Sequence, residues 1–381
     1  MSAGAASLAN VDAGQKPNSE KLMVASNAPS TEQPANLDDG SEKAPTGLPE
    51  FPNLLSSYYV RPPWKVAGVD YHAGVPANIS LKNPSAINLS GATVNAISHI
   101  VTVRGDGITL DGYDFSLDGG WQVAIQGSNV TVRNSKFKVG SNRHTPIYVE
   151  QTAANPTIEY NTIDGSQSSN GLFGLIQCNG IGAVTIRYNA MMDAYAEGMV
   201  IGNNSDSAAF YVIRYNFIKD VGYGFVAGAH GDWIQQYNAA GKAINNLQIN
   251  FNTFIQTVAP GGGATQGISL HSANIKQGPV ISETVTNNTI VATGIKTVSY
   301  AVIVDTTNLR DTATVSNNFI VPAGIAYGWS FFGAYNRNGN DGVYNGVVTA
   351  TNNRNMITGV PLAERRPPPP RTRPLTPAEA R

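Results

Sequence analysis

The chain has 381 residues, of which 13% are charged, with 25 Lys plus Arg against 26 Asp plus Glu and a formal net charge of −1. That charged fraction is about half the ~25% usual for soluble domains, and its balance argues against a basic nucleic-acid binder and against an acidic solvating segment. A single cysteine, Cys178, beside 39 glycines and 22 prolines excludes a disulfide framework and a cysteine-based zinc cluster, and no apolar run approaches the ~20 residues that span a bilayer.

Residues 1–50 are rich in Ala, Ser, Asn, Gly and Pro without apolar periodicity, which predicts a disordered linker. Their longest apolar stretch, Leu22, Met23, Val24 and Ala25, falls short of the ~7 to 15 residues of a secretory signal. Sec export is therefore not expected, and the long linker favours anchoring of the chain to a larger assembly. Residues 51–80 form a cap segment in which Leu54, Leu55, Tyr58, Tyr59 and Trp64 supply apolar mass that would plug an open end of an elongated core. Trp64 reads as a packing residue.

Residues 81–358 carry an internal repeat, sought before local structure. The phrase "apolar, any, aromatic or polar, Asn, any, apolar" returns around Asn134, Asn161, Asn189, Asn216, Asn252, Asn288 and Asn318, with a weaker copy at Asn353, at intervals from 27 to 36 residues. Gly112 occupies the same place one step earlier. A constant phrase at irregular spacing means a fixed turn joined by loops of varying length. Three residues before each Asn stands Thr131, Ile158, Ile186, Ile213, Ile249, Val285 or Val315, and the alternation is that of short strands. Such strands without helical pattern between them predict an all-β solenoid of roughly ten coils, each stacking at about 4.8 Å on the next. The Asn side chain would accept from one coil and donate to the next. Tyr160, Tyr188, Tyr215 and Phe251 would form an internal aromatic stack, and Glu159, Arg187 and Arg214 an exposed charge ladder.

On these Asn turns the chain resembles the right-handed parallel β-helix proteins, the superfamily of pectate-lyase-like enzymes and phage tailspikes. It is also similar, through PPWKVAGVDY, LDGYDFSLDGGW and its HGDWIQ segment, to bacterial and phage β-helix proteins. The resemblance implies a right-handed parallel β-helix, an extracellular, cell-surface or virion-displayed setting and, as a prior, polysaccharide binding or cleavage along one flank. It assigns no catalytic residue, because fold does not give function.

A second strand follows each turn. Taking Ile147, Ile201, Ile234, Leu270 and Val304 as inward, an outward file reads Glu150, Asn179, Gln235, His271 and Asp305, and longer loops would wall it into a cleft. The richest cluster is AHGDWIQ, residues 229–235. His230, Asp232, His271 and Asp305 are the catalytic candidates, since His titrates near neutrality and Asp can orient or ionise it. Trp233, Gln235, Glu150, Lys276 and Arg310 are the substrate-binding candidates, Trp233 by stacking on a sugar face. Lyase chemistry would use Lys276 or Arg310 as the cation against a uronate, and hydrolysis would use Asp232 with Asp305, Glu197 being a spare. No cofactor is expected; a divalent cation such as Ca²⁺ held by His230, Asp232 and Asp305 is the alternative. The Gly-rich PGGGATQG, residues 260–267, reads as a groove wall.

Residues 326–346 gather Tyr327, Trp329, Phe331, Phe332, Tyr335 and Tyr344, read as a cap over the last coil or a sugar platform. Residues 359–381, with Pro367–Pro370 among arginines, read as an extended polyproline tail. The leading function is that of a carbohydrate-active protein that binds a polysaccharide and cleaves it by lyase or hydrolase chemistry, with no nucleic-acid partner and no membrane insertion. The alternative is a non-catalytic structural or adhesive rod. An enzyme should gather its acid and base groups within hydrogen-bond reach of one bound substrate, whereas a scaffold should scatter or bury them.

Overall fold

The computed structural model describes residues 44–166, 174–222, 224, 231–239, 241–258, 265–270, 279–294, 296–306, 309–333 and 346–363. His230, His271, Lys276 and the polyproline tail lie outside the described residues, as do residues 1–43 of the linker and the Gly-rich stretch 259–264.

The described chain is a right-handed parallel β-helix. Three sheets run along it, A with ten strands and B and C with nine each. Every coil contributes one strand to A, then C, then B; in one of them these are Ile147–Val149, Thr157–Glu159 and Thr162–Asp164. Pairing between coils is parallel, and the extra strand of sheet A, Ala92–Asn95, opens the fold antiparallel to Ile100–Val103. The core follows from the two-residue period of the strands. On sheet A the file Val101, Val123, Ile147, Ile176, Met199, Ile234, Ile268 and Val302 points inward. Sheet C supplies Leu110, Val132, Ile158, Ile186, Ile213, Ile249, Val285 and Val315. Sheet B adds Phe115, Phe137, Ile163, Met191, Ile218, Phe254, Ile290 and Ile320. All are fully buried, and each such side chain stabilises the fold by roughly 1.5–3 kcal/mol.

The corner between sheets C and B carries the asparagine ladder. Asn189 Nδ2 donates to Asn216 Oδ1 at 3.0 Å, and the same link joins Asn161 to Asn189, Asn216 to Asn252, Asn252 to Asn288, Asn288 to Asn318 and Asn318 to Asn353. The sequence reading is off by one residue at Asn134. Lys136 pairs with Thr162, so Ser135 occupies the ladder place, its N–H donating to Asn161 Oδ1, and Val132 rather than Thr131 aligns with Ile158. Asn134 falls in the preceding file, where Gly112, Asn134, Tyr160, Tyr188, Tyr215, Phe251, Asn287, Asn317 and Asn352 all have φ between 52° and 72°. One left-handed residue per coil makes the corner sharp. For a tyrosine that conformation costs about 1–2 kcal/mol, and stacking of the rings offsets it by about 0.5–1.5 kcal/mol per pair.

Those rings do stack, Tyr160 on Tyr188 at 5.1 Å, Tyr188 on Tyr215 at 4.9 Å and Tyr215 on Phe251 at 5.4 Å. The stack is not inside the helix as expected; it lies on the outer side of the corner and is covered by the N-terminal segment, through Tyr71 on Tyr188 and Trp64 on Phe251. The neighbouring charge ladder is less exposed than expected, because Glu159 is buried and accepts from Arg187 Nε at 2.8 Å.

Residues 44–82 do not plug an end. They form a strap along the outer face of sheet B: Phe51 stacks on Phe217, Val60 N–H reaches Met356 O in the last coil, and Trp64 packs edge-on against Phe319. The strap then returns, Gly74 N–H bonding Tyr188 O and Lys82 N–H bonding Gly112 O near the first coil. Leu55, Val66, Val69 and Ala73 of the strap join Ala190, Phe217, Ile255, Val291, Phe319 and Met356 in a second apolar cluster. Close approach requires glycine at Gly68, where φ is +72° and an added Cβ would lie 2.2 Å from the Phe217 ring. The packing role read for Trp64 is what the geometry shows.

Candidate functional site

On sheet A the outward file is Thr102, Ala124, Tyr148, Gln177, Val200, Gln235, Ser269, Ile303 and Phe331. Gln235 belongs to it. Glu150 and Asn179 stand two residues further along their strands, where Glu150 N–H bonds Ile125 O and Asn179 N–H bonds Val149 O. Asp305 is at the corresponding place of a later coil, one residue past Val304. The outward file expected from sequence is thus two files, with Gln235 in one and Glu150, Asn179 and Asp305 in the other. Glu150 is half-buried and accepts from Gln126 Nε2 at 2.6 Å, a contact between coils.

Asp232 lies two residues before Ile234 and in register with Glu197 of the preceding coil, since Ile234 pairs with Met199 and Gly198 N–H donates to Asp232 O at 2.8 Å. Both carboxyls are buried, Asp232 to 0% and Glu197 to 1% exposure. Asp232 Oδ1 accepts from Gln266 N–H at 2.9 Å, and the Ser269 side chain also bonds this carboxyl. Burial, and then the charge of Glu197, push Asp232 well above the usual carboxylate range, more strongly than these two bonds lower it. Burial and the neighbouring carboxyl thus both favour the protonated form of Asp232.

Asp305 does not join this pair. By register Asp232 aligns with Gln266 and then Tyr300, so Asp305 sits five residues further along the strand direction and two coils on. At about 3.3 Å per residue and 4.8 Å per coil the two are roughly 15–20 Å apart, toward opposite ends of the sheet A strands. Asp232 is therefore the neighbour of Glu197 and not of Asp305, so the Asp232–Asp305 pair expected for hydrolysis does not form and a single cation cannot be shared by the two.

Asp305 instead faces Glu283. Glu283 stands in the inward file of sheet C between Leu247 and Ala313, so its carboxyl enters the apolar interior. Burial, and then the Asp305 charge, push it up to about 8. The sequence phrase gave no hint of an inward acid, because Glu283 interrupts an otherwise apolar file. Gln236 is a second interruption, inward beside Ile201 with neither amide atom hydrogen-bonded.

Trp233 cannot stack on a sugar: it is fully buried in the main core, its ring 5.4 Å from that of Phe254. Arg310 is exposed in the Leu309–Ser316 strand of sheet C, on a different sheet from Asp232. Within 326–346, Ile325–Gly333 is the last strand of sheet A; Trp329 and Phe332 turn into the core, and Trp329 Nε1 donates to Ala363 O at 2.7 Å. Tyr327 of that strand is exposed. Sequence reasoning missed Gln266 and Ser269 as partners of Asp232, because they lie across the coil boundary and repeat nothing.

Comparison with protein families matches residues 77–254 to a model described as "Right handed beta helix region". Searches of curated proteins and of solved structures gave no match. The matched span begins at the strap's return and runs through the coils that carry Glu197 and Asp232. Together with the three stacked parallel sheets it makes this chain a right-handed parallel β-helix repeat protein.

Proposed function

We propose that the protein is carbohydrate-active: it binds an extended polysaccharide along the sheet A flank and hydrolyses it with Asp232 as general acid and Glu197 as the second carboxyl. The observation that carries this reading is a fully buried Asp232 carboxyl in register with Glu197 on the adjacent coil, where burial and the like charge favour its protonated form. Burial beside a like charge is the means by which a carboxylic acid stays ready to donate a proton near neutrality. Adjacent coils lie about 4.8 Å apart, close to the ~5–5.5 Å carboxyl separation of retaining glycosidases, so the expected outcome is retention at the anomeric carbon.

The test is turnover on a panel of neutral and acidic polysaccharides, read by new reducing ends and by the ultraviolet absorbance of unsaturated uronates. Reducing ends without unsaturation, lost in both Asp232→Asn and Glu197→Gln with the fold intact, are expected. Unsaturated products would replace hydrolysis by lyase chemistry.

A non-catalytic rod is the second reading, favoured by the near-complete burial of both carboxyls. Absence of turnover on the whole panel, with both variants more stable than the parent chain, would establish it.

A further inference from the structure

Asp232 is held by a turn from the coil that follows it. Thr265, Gln266 and Gly267 form that turn, and its two outer residues are tied down on both sides. Thr265 N–H donates to Thr297 O at 3.1 Å and its carbonyl accepts from Ser299 N–H at 2.6 Å, which fixes it to the next coil. Gly267 O accepts from Trp233 N–H at 3.0 Å, beside Asp232. No side chain fits at Gly267, where φ is +76° and an added Cβ would lie 2.3 Å from Tyr300 O. Inside the turn the buried Thr265 hydroxyl accepts from Gly267 N–H at 3.0 Å, the local staple that a hydroxyl supplies in turns. Gln266 N–H is thereby left to point at Asp232 Oδ1, 2.9 Å away.

The two oxygens of Asp232 are thus unlike. Oδ1 accepts from a fixed backbone donor, whereas Oδ2 is buried and has no hydrogen-bond partner. In a neutral carboxylic acid the carbonyl oxygen is the better acceptor and the hydroxyl oxygen carries the proton. A donor fixed on Oδ1 makes it the carbonyl oxygen and puts the proton on Oδ2. Among the described residues Glu197 is the charged group that faces Asp232; Gln266, Ser269 and Trp233 around it are uncharged.

We infer that Thr265 is a positioning residue for Asp232: its hydroxyl fixes the turn that presents Gln266 N–H to Oδ1, and so sets Oδ2 as the oxygen that gives the proton. The inference rests on the proposed hydrolysis. There the proton passes from Oδ2 to the glycosidic oxygen, which leaves with the electron pair of the broken bond while a Glu197 oxygen bonds the anomeric carbon. Asp232 becomes a carboxylate, and Gln266 N–H is already in place to stabilise that charge.

The experiment compares the full chain with Thr265→Val, which lacks the hydroxyl, and Thr265→Ser, which keeps it. The Asp232 carboxyl is followed by carbon NMR of aspartate-labelled protein, assigned with Asp232→Asn. In parallel, kcat and KM are followed against pH on whichever polysaccharide the panel finds. Thr265→Val should move the Asp232 titration to higher pH, because the carboxylate loses a donor, and should move the alkaline limb of the kcat profile with it at unchanged KM. Thr265→Ser should restore both. In the parent chain the Gln266 amide proton should shift with the same titration. A merely structural threonine would lower kcat at every pH and leave the Asp232 titration where it was, which would overturn the inference. So would a Gln266 amide that ignores that titration, a result that needs no variant to fold. Absence of turnover would sink the hydrolase reading alone, since the carboxyl titration decides without a substrate what Thr265 does to Asp232.

Discussion

Asn216 Nδ2 donates to Asn252 Oδ1 at 3.0 Å, although the two are 36 residues apart, and Asn189 reaches Asn216 at the same 3.0 Å across only 27. The ladder therefore holds one geometry while the loops between its rungs vary freely in length. Asn216 also donates to Ile186 O and Arg214 O, and its oxygen accepts from both the backbone and the side chain of Asn189. Each rung satisfies two coils at once.

Replacing that rung should be costly because it strands buried partners above and below. Asn216→Ala is expected to destabilise the fold by about 3 kcal/mol, since each orphaned buried group costs about 1–3 kcal/mol. Asn216→Ser should lose less, because Ser135 already fills a ladder place and accepts from Tyr113 N–H. Denaturant midpoints of the two variants check the order, and equal losses would refute it.

The inward acid predicts a pH dependence of the opposite sign to ordinary acid denaturation. Glu283 is held protonated, its folded value about 8 against 4.5 for the free side chain. The folded chain then keeps a proton that the unfolded chain has released, so stability falls as pH rises from about 4.5 to about 8, by an amount on the order of a few kcal/mol. Glu283→Gln should flatten that slope and melt higher than the parent at alkaline pH. Melting temperatures at mildly acidic and mildly alkaline pH, measured on both proteins, decide it.

The strap carries its own titrating contact. His72 Nδ1 pairs with Glu50 Oε1 at 2.8 Å and Nε2 contacts Val75 O at 2.8 Å. The hydrogen bond to Glu50 is the chief reason that the imidazole is raised above its ordinary value, against the opposing effect of burial. The contribution is complete below ~6.5, the free histidine value, and is lost as pH rises through the folded value. Hydrogen exchange at Ala73 and Gly74, corrected for its intrinsic pH dependence, should accelerate over that window. His72→Gln should remove the step.

At Gly68 the strap has no room for a methyl group. Gly68→Ala combines a φ of +72° with a Cβ placed 2.2 Å from Phe217, and it should cost roughly 1–3 kcal/mol through overpacking and backbone strain. A melting temperature equal to that of the parent would mean that the strap can rise off sheet B without loss.

The fold could be read from the sequence because the ladder rung is chemically demanding: its turn needs a side chain that both accepts and donates, and asparagine recurs there from Asn161 to Asn353. The slip at Asn134 has a physical cause. Asparagine also tolerates the left-handed place just before the rung, so one letter serves two adjacent roles, and Ser135 could not be recognised as the rung. The site was harder to see. Along sheet A no polar residue recurs coil after coil as asparagine does at the corner, so the register that separates Gln235 from Glu150, and Asp232 from Asp305, depends on loop lengths that carry no periodic signal. The strap was invisible for a related reason, because Trp64 and Phe51 are apolar residues whose partners lie hundreds of positions away.

That strap sets an order of events for a chain made from its N-terminus. Val60 emerges from the ribosome before any coil exists, while its partner Met356 is among the last described residues to appear. Phe51 and Gly74 have their partners once Tyr188 and Phe217 are made, but the stretch around Val60 and Trp64 must wait for Phe319 and Met356. Until then the late end of the apolar outer face of sheet B stands uncovered, and the strap can close only from its early contacts toward its last ones.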